Sequence, residues 1–187
     1  MRNDVLRNDM EEILFTGEQI SQRVKEVAQR IAEDYKDSTP LLVGVLKGAV
    51  IFLADLVRHI DVPIELDFIA TSSYGASTKS SGVVKIIKDL DVPLQGRDVL
   101  IVEDIVDSGL TLTYLRDTLV RRGATSIRIA TAFDKPLGRK VPIEPDYCGF
   151  TVPDKFLVGY GLDYAERYRH LPYVGVLKRS VYETSMG

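Results

Sequence analysis

The sequence has few of the residues that build disulfide frameworks or histidine metal centres. It contains one cysteine, Cys148, in 187 residues, so no internal disulfide can form. It contains two histidines, His59 and His170, whose separation in the sequence matches no metal-binding motif. These absences argue against a disulfide-stabilised secreted protein, and they favour a cytoplasmic one.

The sequence also lacks a strong charge of one sign and a long hydrophobic run. Lys and Arg number 24 and Asp and Glu number 27, which gives a net charge of -3. A nucleic-acid backbone is neutralised by clustered basic residues, and no such block occurs here. No segment approaches the roughly 20 apolar residues of a membrane-spanning helix. We therefore expect neither nucleic acid nor a membrane as a partner.

Two common nucleotide-binding loops are missing as well. The sequence contains no Gly-x-x-x-x-Gly-Lys-[Ser/Thr] loop and no Gly-x-Gly-x-x-Gly fingerprint. The first loop is typical of enzymes that hydrolyse nucleoside triphosphates, and the second is typical of dinucleotide-binding domains. Both functions therefore lose support.

The composition that remains is that of a globular domain. Hydrophobic residues make up 45% of the chain and charged residues 27%, close to globular averages. A chain of 187 residues is the size of one domain. We predict a single domain over residues 1–187. Its core is expected at about 38–135, and a small hood is expected from the N-terminal segment and about 136–178.

Hydrophobic periodicity predicts strands and helices in alternation. Thr16-Gly17-Glu18-Gln19 has the spacing of a capping box, and apolar residues recur at helical spacing from Ile20 to Tyr35. Strands are predicted at 41–46, 64–71, 83–87, 98–102 and 126–133, and further helices at 49–60 and 110–122. This order predicts an α/β fold whose mainly parallel, twisted sheet is flanked by helices. Short segments at 147–152, 156–160 and 173–177 are expected in the hood and at a sheet edge. The Ser- and Gly-rich segment 72–82 is predicted to be a mobile loop.

The most informative segment runs from Val99 to Thr111. A hydrophobic strand leads into acidic residues and then into the turn Asp107-Ser108-Gly109-Leu110-Thr111, which opens a helix. Ligands bind at the carboxyl ends of parallel strands, and a glycine, two hydroxyls and free N–H groups suit a phosphate. The nearby carboxylates would repel that phosphate unless sugar hydroxyls and a cation such as Mg²⁺ balance them. The alternative is that Asp104 and Asp107 cap the helix and Glu103 is a solvated strand end.

These residues resemble a known family. Ile101-Val102-Glu103-Asp104 followed by Asp107-Ser108-Gly109-x-Thr111 is similar to the phosphoribosyl-pyrophosphate signature of type I phosphoribosyltransferases. Four further segments resemble the 6-oxopurine branch, the hypoxanthine-guanine phosphoribosyltransferases: Val45-Leu46-Lys47-Gly48, Ser73-Tyr74-Gly75, Asp134-Lys135-Pro136 and Pro153 to Tyr164. The resemblance runs in order from about residue 11 to about residue 178.

The resemblance implies a fold and an activity. The fold would be that of type I phosphoribosyltransferases, and the protein would be a purine salvage enzyme. It would transfer a 5-phosphoribosyl group from phosphoribosyl pyrophosphate to hypoxanthine and/or guanine, with Mg²⁺, and form IMP or GMP and pyrophosphate. The transition state would resemble an oxocarbenium ion. The resemblance also implies a homodimer or homotetramer.

The resemblance further implies roles for the signature residues. Asp107 would be the catalytic residue that exchanges a proton with N7 of the purine. The ribose and 5'-phosphate would be bound by Glu103, Asp104, Ile105, Val106, Asp107, Ser108, Gly109, Leu110 and Thr111. Leu110 stands where some relatives have lysine, so phosphate binding would depend more on backbone N–H groups and hydroxyls.

Other residues would contact the remaining parts of the substrates. The purine would be bound by Lys135, Lys155, Phe156, Leu157 and Asp163. Pyrophosphate would be bound by Lys47, Gly48 and Arg169, and family members have a cis peptide after the residue that matches Leu46. The metal would be held by Glu103, Asp104 and Asp163. Ser73 and Tyr74 would begin a loop that closes over the reacting centre.

Each of these residues also has an ordinary structural interpretation. Lys47 and Lys135 could be surface lysines, and Phe156 could belong to the core. Asp163 could cap a helix over 164–171, on which Arg169 would be solvated. Two rival functions stay open: an RNA-binding regulatory protein on the same fold, and a Mg²⁺-dependent phosphohydrolase with an aspartate nucleophile.

Overall fold

The computed structural model describes residues 6–73 and 84–183. Its strands are β1 (Met10–Phe15), β2 (Leu41–Leu46), β3 (Glu65–Ser73), β4 (Val84–Lys88), β5 (Asp98–Val106), β6 (Ser126–Asp134), β7 (Tyr147–Thr151), β8 (Leu157–Val158) and β9 (Val174–Leu177). Its helices are α1 (Gly17–Asp34), α2 (Val50–Val57), α3 (Leu110–Arg121) and the short α4 (Arg179–Tyr182), with a 3₁₀ turn at Pro136–Gly138.

A six-stranded sheet in the order β4-β3-β2-β5-β6-β7 forms the centre of the fold. Strands β3, β2, β5, β6 and β7 are parallel to one another. Strand β4, at one edge of this sheet, is antiparallel to β3. Strands β2 and β5 read as apolar runs because helices cover both faces of the sheet. The predicted α/β fold with a mainly parallel sheet is confirmed.

Two hydrophobic layers hold the helices to the sheet. One layer joins α1 and α2 to the face that carries Leu42, Leu100 and Phe133. The other joins α3 to the opposite face through Ile101, Leu115 and neighbouring residues. Since β5 contributes side chains to both layers, burial on its two faces holds the strand firmly in place.

A second sheet packs beside the first. It is antiparallel, has the order β1-β9-β8 and joins the N-terminal segment to the C-terminal part of the chain. Its own apolar cluster includes Met10, Val158 and Leu177. Of the residues expected in the hood, β1, β8 and β9 form this second sheet, whereas β7 lies at the edge of the central sheet beside β6. Among the described residues, no helix is long and apolar enough to cross a membrane.

Several predicted boundaries were wrong by a few residues. The helix expected at 49–60 is Val50–Val57, and the strand expected at 64–71 continues to Ser73, where it pairs with β4. The strand expected at 98–102 continues to Val106, because β6 pairs with it as far as Asp134. A helix over 164–171 does not form, so Asp163 caps no helix.

The start of α1 carries the predicted capping box. The Thr16 side chain accepts from the backbone N–H of Gln19, and the Gln19 side chain accepts from the N–H of Thr16. We expect Thr16→Ala to lower the free energy of unfolding by about 1 kcal/mol, since it leaves one of these N–H groups without an acceptor. Urea denaturation measures the change. Thr16→Ser keeps the hydroxyl and should stay near wild type; equal losses in both variants would contradict the cap.

Candidate active site

The end of β5 and the turn after it line a pocket of about 270 Å³. Glu103 and Asp104 lie within the strand, and Asp107 begins the turn that leads into α3. Gly109 has φ 78°, a left-handed conformation that favours glycine, and it precedes the first residue of the helix. The pocket is therefore bordered by carboxylates on the strand and by the N-terminal end of a helix.

The loop after β2 forms the opposite wall of this pocket. The peptide bond between Leu46 and Lys47 is cis, as the resemblance implied. Gly48 is buried against Asp104, and a Cβ at Gly48 would overlap the Asp104 carboxylate. A Cβ at Gly161 would in turn overlap the carbonyl oxygen of Gly48. Three segments distant in sequence thus approach one another at Asp104, and the close packing requires glycine.

Burial raises the pKa of both strand carboxyls. The pKa of Glu103 lies well above its ordinary value, first because the side chain is buried and then because Asp104 is its neighbour. Burial also raises the pKa of Asp104. Two smaller effects lower it: the Asp104 carboxylate accepts a hydrogen bond from the backbone N–H of Ile105, and the positive charge of Arg169 is near. Two adjacent carboxyls held away from water favour a cation or hydroxyl donors beside them.

The donor set of this pocket suits Mg²⁺ in part. Among residues 6–73 and 84–183, no group of three His, Cys, Asp or Glu side chains is arranged to hold a metal ion. Mg²⁺ commonly binds one or two protein carboxylates and takes its other oxygens from water and substrate phosphates. Glu103 and Asp104 fit that pattern. Asp163 lies on another segment, where it accepts from the Glu166 N–H at 2.9 Å and pairs with Arg169 at 3.1 Å.

The cations expected to bind pyrophosphate are brought together by one glutamate. Lys47 Nζ lies 2.9 Å from a Glu166 carboxylate oxygen, and an Arg169 nitrogen lies 3.5 Å from the other. Lys47 lowers the pKa of Glu166. The Arg169 guanidinium also donates to the carbonyl of Gly161 at 2.8 Å. Lys47 and Arg169 therefore converge on one anionic group at this side of the pocket.

Lys135 links the turn to a second pocket. This pocket, of about 530 Å³, is lined by Lys135, Asp154, Lys155, Phe156, Tyr182 and neighbouring residues. Lys135 is buried, and its Nζ lies 3.3 Å from an Asp107 oxygen and 3.9 Å from an Asp154 oxygen. A buried ammonium is retained only where anions or acceptors surround it. Lys135 is thus not a surface lysine.

Aromatic side chains form the wall of the second pocket. Phe156 is 40% exposed, so it does not belong to the core. The Tyr182 ring stacks on it with centroids 5.0 Å apart, and Tyr164 meets it edge-on. Leu157 is buried in β8. The Nζ of Lys155 lies 2.6 Å from a carboxylate oxygen of Glu12. In this structure its charge is therefore paired with Glu12.

The loop predicted to close over the site lies mostly outside the described residues. Ser73 is the last residue of β3 and pairs with Val84 of β4, so it is strand rather than loop. Ser72, also in the segment expected to be mobile, pairs with Lys85 of β4. Tyr74 and the remaining residues of that segment, 74–82, lie outside the described residues. Its role therefore stays a prediction.

Three residues near the site were missed by the sequence reasoning. Arg139 bonds to the backbone of the turn, Glu166 pairs with Lys47, and Tyr182 stacks on Phe156. For Tyr182 the C-terminal segment carried no recognisable pattern. Arg139 follows Lys135 by four positions, and this proximity was the only available signal.

The raised pKa of Glu103 predicts how the free energy of unfolding depends on pH. Between the ordinary carboxyl pKa and the raised one, the folded protein keeps a proton that the unfolded chain has released. The stabilisation that protonated Glu103 gives the folded protein is therefore complete below the pKa of the unfolded chain. It is lost as the pH rises through the pKa of the folded protein. Glu103→Gln should raise the free energy of unfolding at pH values above the ordinary carboxyl pKa and flatten its decline as the pH rises from there.

Urea denaturation at a series of pH values from the ordinary carboxyl pKa upward, without added metal, measures the effect of Glu103→Gln. The control is Glu144→Gln, because Glu144 is exposed. It should leave the pH dependence as in the wild type. If Glu103→Gln follows the same pH dependence as the wild-type protein, Glu103 does not hold the proton.

Comparison with known proteins gives a consistent family. Residues 11–165 match the family model described as "Phosphoribosyl transferase domain". The chain is 57% identical to the hypoxanthine-guanine phosphoribosyltransferase of Bacillus subtilis, over 96% of this chain and all of the relative. It is 56% identical to that of Streptococcus thermophilus, over 95% of this chain and 99% of the relative.

A solved structure agrees with these sequences. The hypoxanthine phosphoribosyltransferase of Staphylococcus aureus has a TM-score of 0.92 and 46% sequence identity, and the match covers 95% of this chain and 97% of that one. Sequence and fold therefore agree over nearly the whole length. The acidic strand end, the glycine turn, Lys47 and Lys135 lie within the region that the family model matches, and Arg169 follows it. The chain belongs to the phosphoribosyltransferases and, within them, to the hypoxanthine-guanine phosphoribosyltransferase family.

Proposed function

We propose that this protein transfers the 5-phosphoribosyl group of phosphoribosyl pyrophosphate to hypoxanthine and guanine, forming IMP or GMP and pyrophosphate. The observation that carries the proposal is the contact between Lys135 and Asp107, at 3.3 Å. It joins the turn suited to a phosphate to the pocket lined by Phe156. A base in the second pocket would thus meet a sugar bound at the first.

The pocket at β5 would bind the sugar phosphate. The 5'-phosphate would accept from the hydroxyls of Ser108 and Thr111 and from N–H groups at the start of α3, where the helix dipole favours an anion. The ribose hydroxyls would donate to Glu103 and Asp104, which satisfies two carboxylates that burial otherwise disfavours. The hydroxyl donors thereby replace the hydration that these buried carboxylates lack.

Bond breaking would be assisted by charges on both sides of the anomeric carbon. As the bond from C1 to pyrophosphate breaks, its electron pair goes to the pyrophosphate oxygen and the sugar becomes cation-like. Lys47 and Arg169, now paired with Glu166, would stabilise the charge on pyrophosphate. The carboxylates of β5 would stabilise the positive sugar. A base nitrogen then forms the new bond to C1.

The base would be held and deprotonated by residues around Lys135. Phe156 would stack on the purine, and Leu157 in β8 would offer backbone groups to it. Lys135 would donate to the purine O6, which selects a 6-oxopurine because a 6-amino group would present donors to a donor. Asp107 would exchange a proton with N7 as general base or acid.

We include Mg²⁺ as the cofactor. The family in general implies a divalent metal, and the carboxylates of Glu103 and Asp104 suit Mg²⁺. When bound, the ion would neutralise charge on pyrophosphate and orient the ribose. Asp163, paired here with Arg169, would hold a second ion only after that pair separates. We also propose a homodimer or homotetramer, as the resemblance implies, and a cytoplasmic location, which the single cysteine favours.

The two rival hypotheses are less well supported. The comparisons give no support to an RNA-binding regulator. A phosphohydrolase would need an aspartate poised to attack the phosphate. Asp104 is held instead against Gly48 and accepts from the N–H of Ile105 at 2.7 Å, which suits a role toward hydroxyls.

The direct test is nucleotide formation by the purified protein. Phosphoribosyl pyrophosphate and Mg²⁺ are supplied with hypoxanthine, guanine, xanthine or adenine, each in a separate reaction. We expect IMP from hypoxanthine and GMP from guanine, with little conversion of adenine. Consumption of none of the four bases would exclude the proposed function.

Asp107→Asn should slow turnover far more than it weakens binding. The amide keeps the size of the side chain but accepts no proton, so kcat should fall by about 100- to 10,000-fold. The KM for phosphoribosyl pyrophosphate should change much less. Steady-state kinetics measure both, and comparable losses in the two parameters would show that Asp107 only positions the sugar phosphate.

Lys135→Ala should weaken base binding and relax the choice at position 6. Loss of a charged donor costs about 1.5–3 kcal/mol, which corresponds to roughly 10- to 150-fold in the KM for hypoxanthine. Lys25→Ala is the control, because Lys25 is an exposed lysine of α1 that lines neither pocket. Unchanged kinetics with hypoxanthine in Lys135→Ala would remove Lys135 from the purine site.

A further inference from the structure

The loop that follows β6 donates hydrogen bonds to the backbone of the turn proposed to bind phosphate. Arg139 lies in this loop, and its side chain is only 15% exposed. Its Nη1 donates to the carbonyl of Val106 at 2.6 Å and to the carbonyl of Asp107 at 2.7 Å. One guanidinium nitrogen therefore binds the last carbonyl of β5 and the first carbonyl of the turn.

The other guanidinium nitrogens hold Arg139 itself in place. Its Nε donates to the carbonyl of Ile143 at 2.9 Å, and its Nη2 donates to the Asp134 carboxylate. Asp134 ends β6 and is mostly buried, so the charge of Arg139 is balanced inside the protein. The guanidinium thus joins the end of β6, the loop after it and the turn after β5.

We infer that Arg139 is a positioning residue of the phosphoribosyl site, which orients the Asp107 carboxylate and the N–H groups of the turn by holding the carbonyls of Val106 and Asp107. Peptide units are planar and trans, so fixing these two carbonyls also fixes the N–H groups of Asp107 and Ser108, which point the opposite way. The inference rests on the proposed function of this turn.

Neighbouring contacts support the same role for the loop. The N–H of Lys140 donates to the carbonyl of Ser108 at 2.9 Å, and the N–H of Lys135 donates to that of Val106 at 2.9 Å. Gly138 lies so close to Asp107 that a Cβ there would overlap the carboxylate. The loop therefore contacts the turn at three successive residues, and the charged side chain of Arg139 donates to two backbone carbonyls there.

The chemistry of the contact requires arginine. A guanidinium is planar and presents five N–H donors in a fixed arrangement. In Arg139 its three nitrogens donate to three backbone carbonyls and one carboxylate. Lysine has the same charge but a single nitrogen, so it cannot hold these acceptors together. Arg139→Lys therefore tests the geometry of the donor separately from its charge.

The test compares Arg139→Lys with a matched arginine elsewhere. Arg128, near the start of β6, also bonds through its guanidinium, to Asp34 and to the Tyr147 hydroxyl, each at 2.7 Å. We expect Arg139→Lys to lower kcat/KM for phosphoribosyl pyrophosphate by about 10- to 100-fold, because small misplacements of reacting groups have effects of this size. Arg128→Lys should keep wild-type kinetics, even if its melting temperature falls as much.

Chemical rescue separates positioning from general stability. Arg139→Ala is assayed below its melting temperature, with guanidinium chloride at low millimolar concentration or with sodium chloride at the same ionic strength. Guanidinium should restore part of kcat/KM for phosphoribosyl pyrophosphate, whereas sodium should not. If Arg139→Ala does not fold, Arg139→Lys carries the test alone.

Two results would overturn the inference. One is wild-type kcat and KM for phosphoribosyl pyrophosphate in Arg139→Lys, and the other is equal activity of folded Arg139→Ala with guanidinium and with sodium. If the wild-type protein itself forms no nucleotide, the proposed function fails. Arg139 is then tested by calorimetric binding of phosphoribosyl pyrophosphate, which Arg139→Lys should weaken and Arg128→Lys should not.

Discussion

Buried carboxyl groups beside a turn proposed to bind phosphate are the constraint on which this site depends. Glu103 and Asp104 lie in β5 with pKa values raised by burial, and Gly48 packs directly on Asp104. Water cannot solvate these groups fully, so the free protein is less stable than one with neutral side chains there. A ligand that brings hydroxyls and a cation removes this penalty, and its binding then stabilises the fold. Stability and ligand binding are therefore coupled at one strand end.

The order of the sheet explains why one pocket can meet several chemical demands. Strands β2, β5 and β6 are adjacent and parallel, so the segments after Leu46, Val106 and Asp134 emerge at the same edge. The first carries Lys47, the second carries the turn and the third carries Lys135 with Arg139. Charges of opposite sign come together there because each is held by a different strand, and no single loop has to carry them all.

Much of the fold was predictable because its signals are local. The capping box at Thr16, the apolar run of β2 and the helix that begins at Leu110 each depend on residues a few positions apart, and all three were confirmed. The predicted end of β5 was wrong by four residues, since the strand continues from residue 102 to Val106. Acidic residues are poor strand formers, and only pairing with β6 as far as Asp134 keeps them in the strand. Strand β1 was not predicted, since its partner β9 lies at the other end of the chain.

The chemistry of the site follows the same division. The acidic residues, the glycine turn and the helix start are contiguous, so their order alone pointed to a sugar phosphate at residues 103–111. The contact of Lys135 with Asp107, the pairing of Lys47 with Glu166 and the bonds from Arg139 to the turn became visible only in the folded chain. Periodicity, caps and turns act over a few residues and can be read from the sequence. Contacts between loops depend on strand order, register and burial, which long-range packing determines.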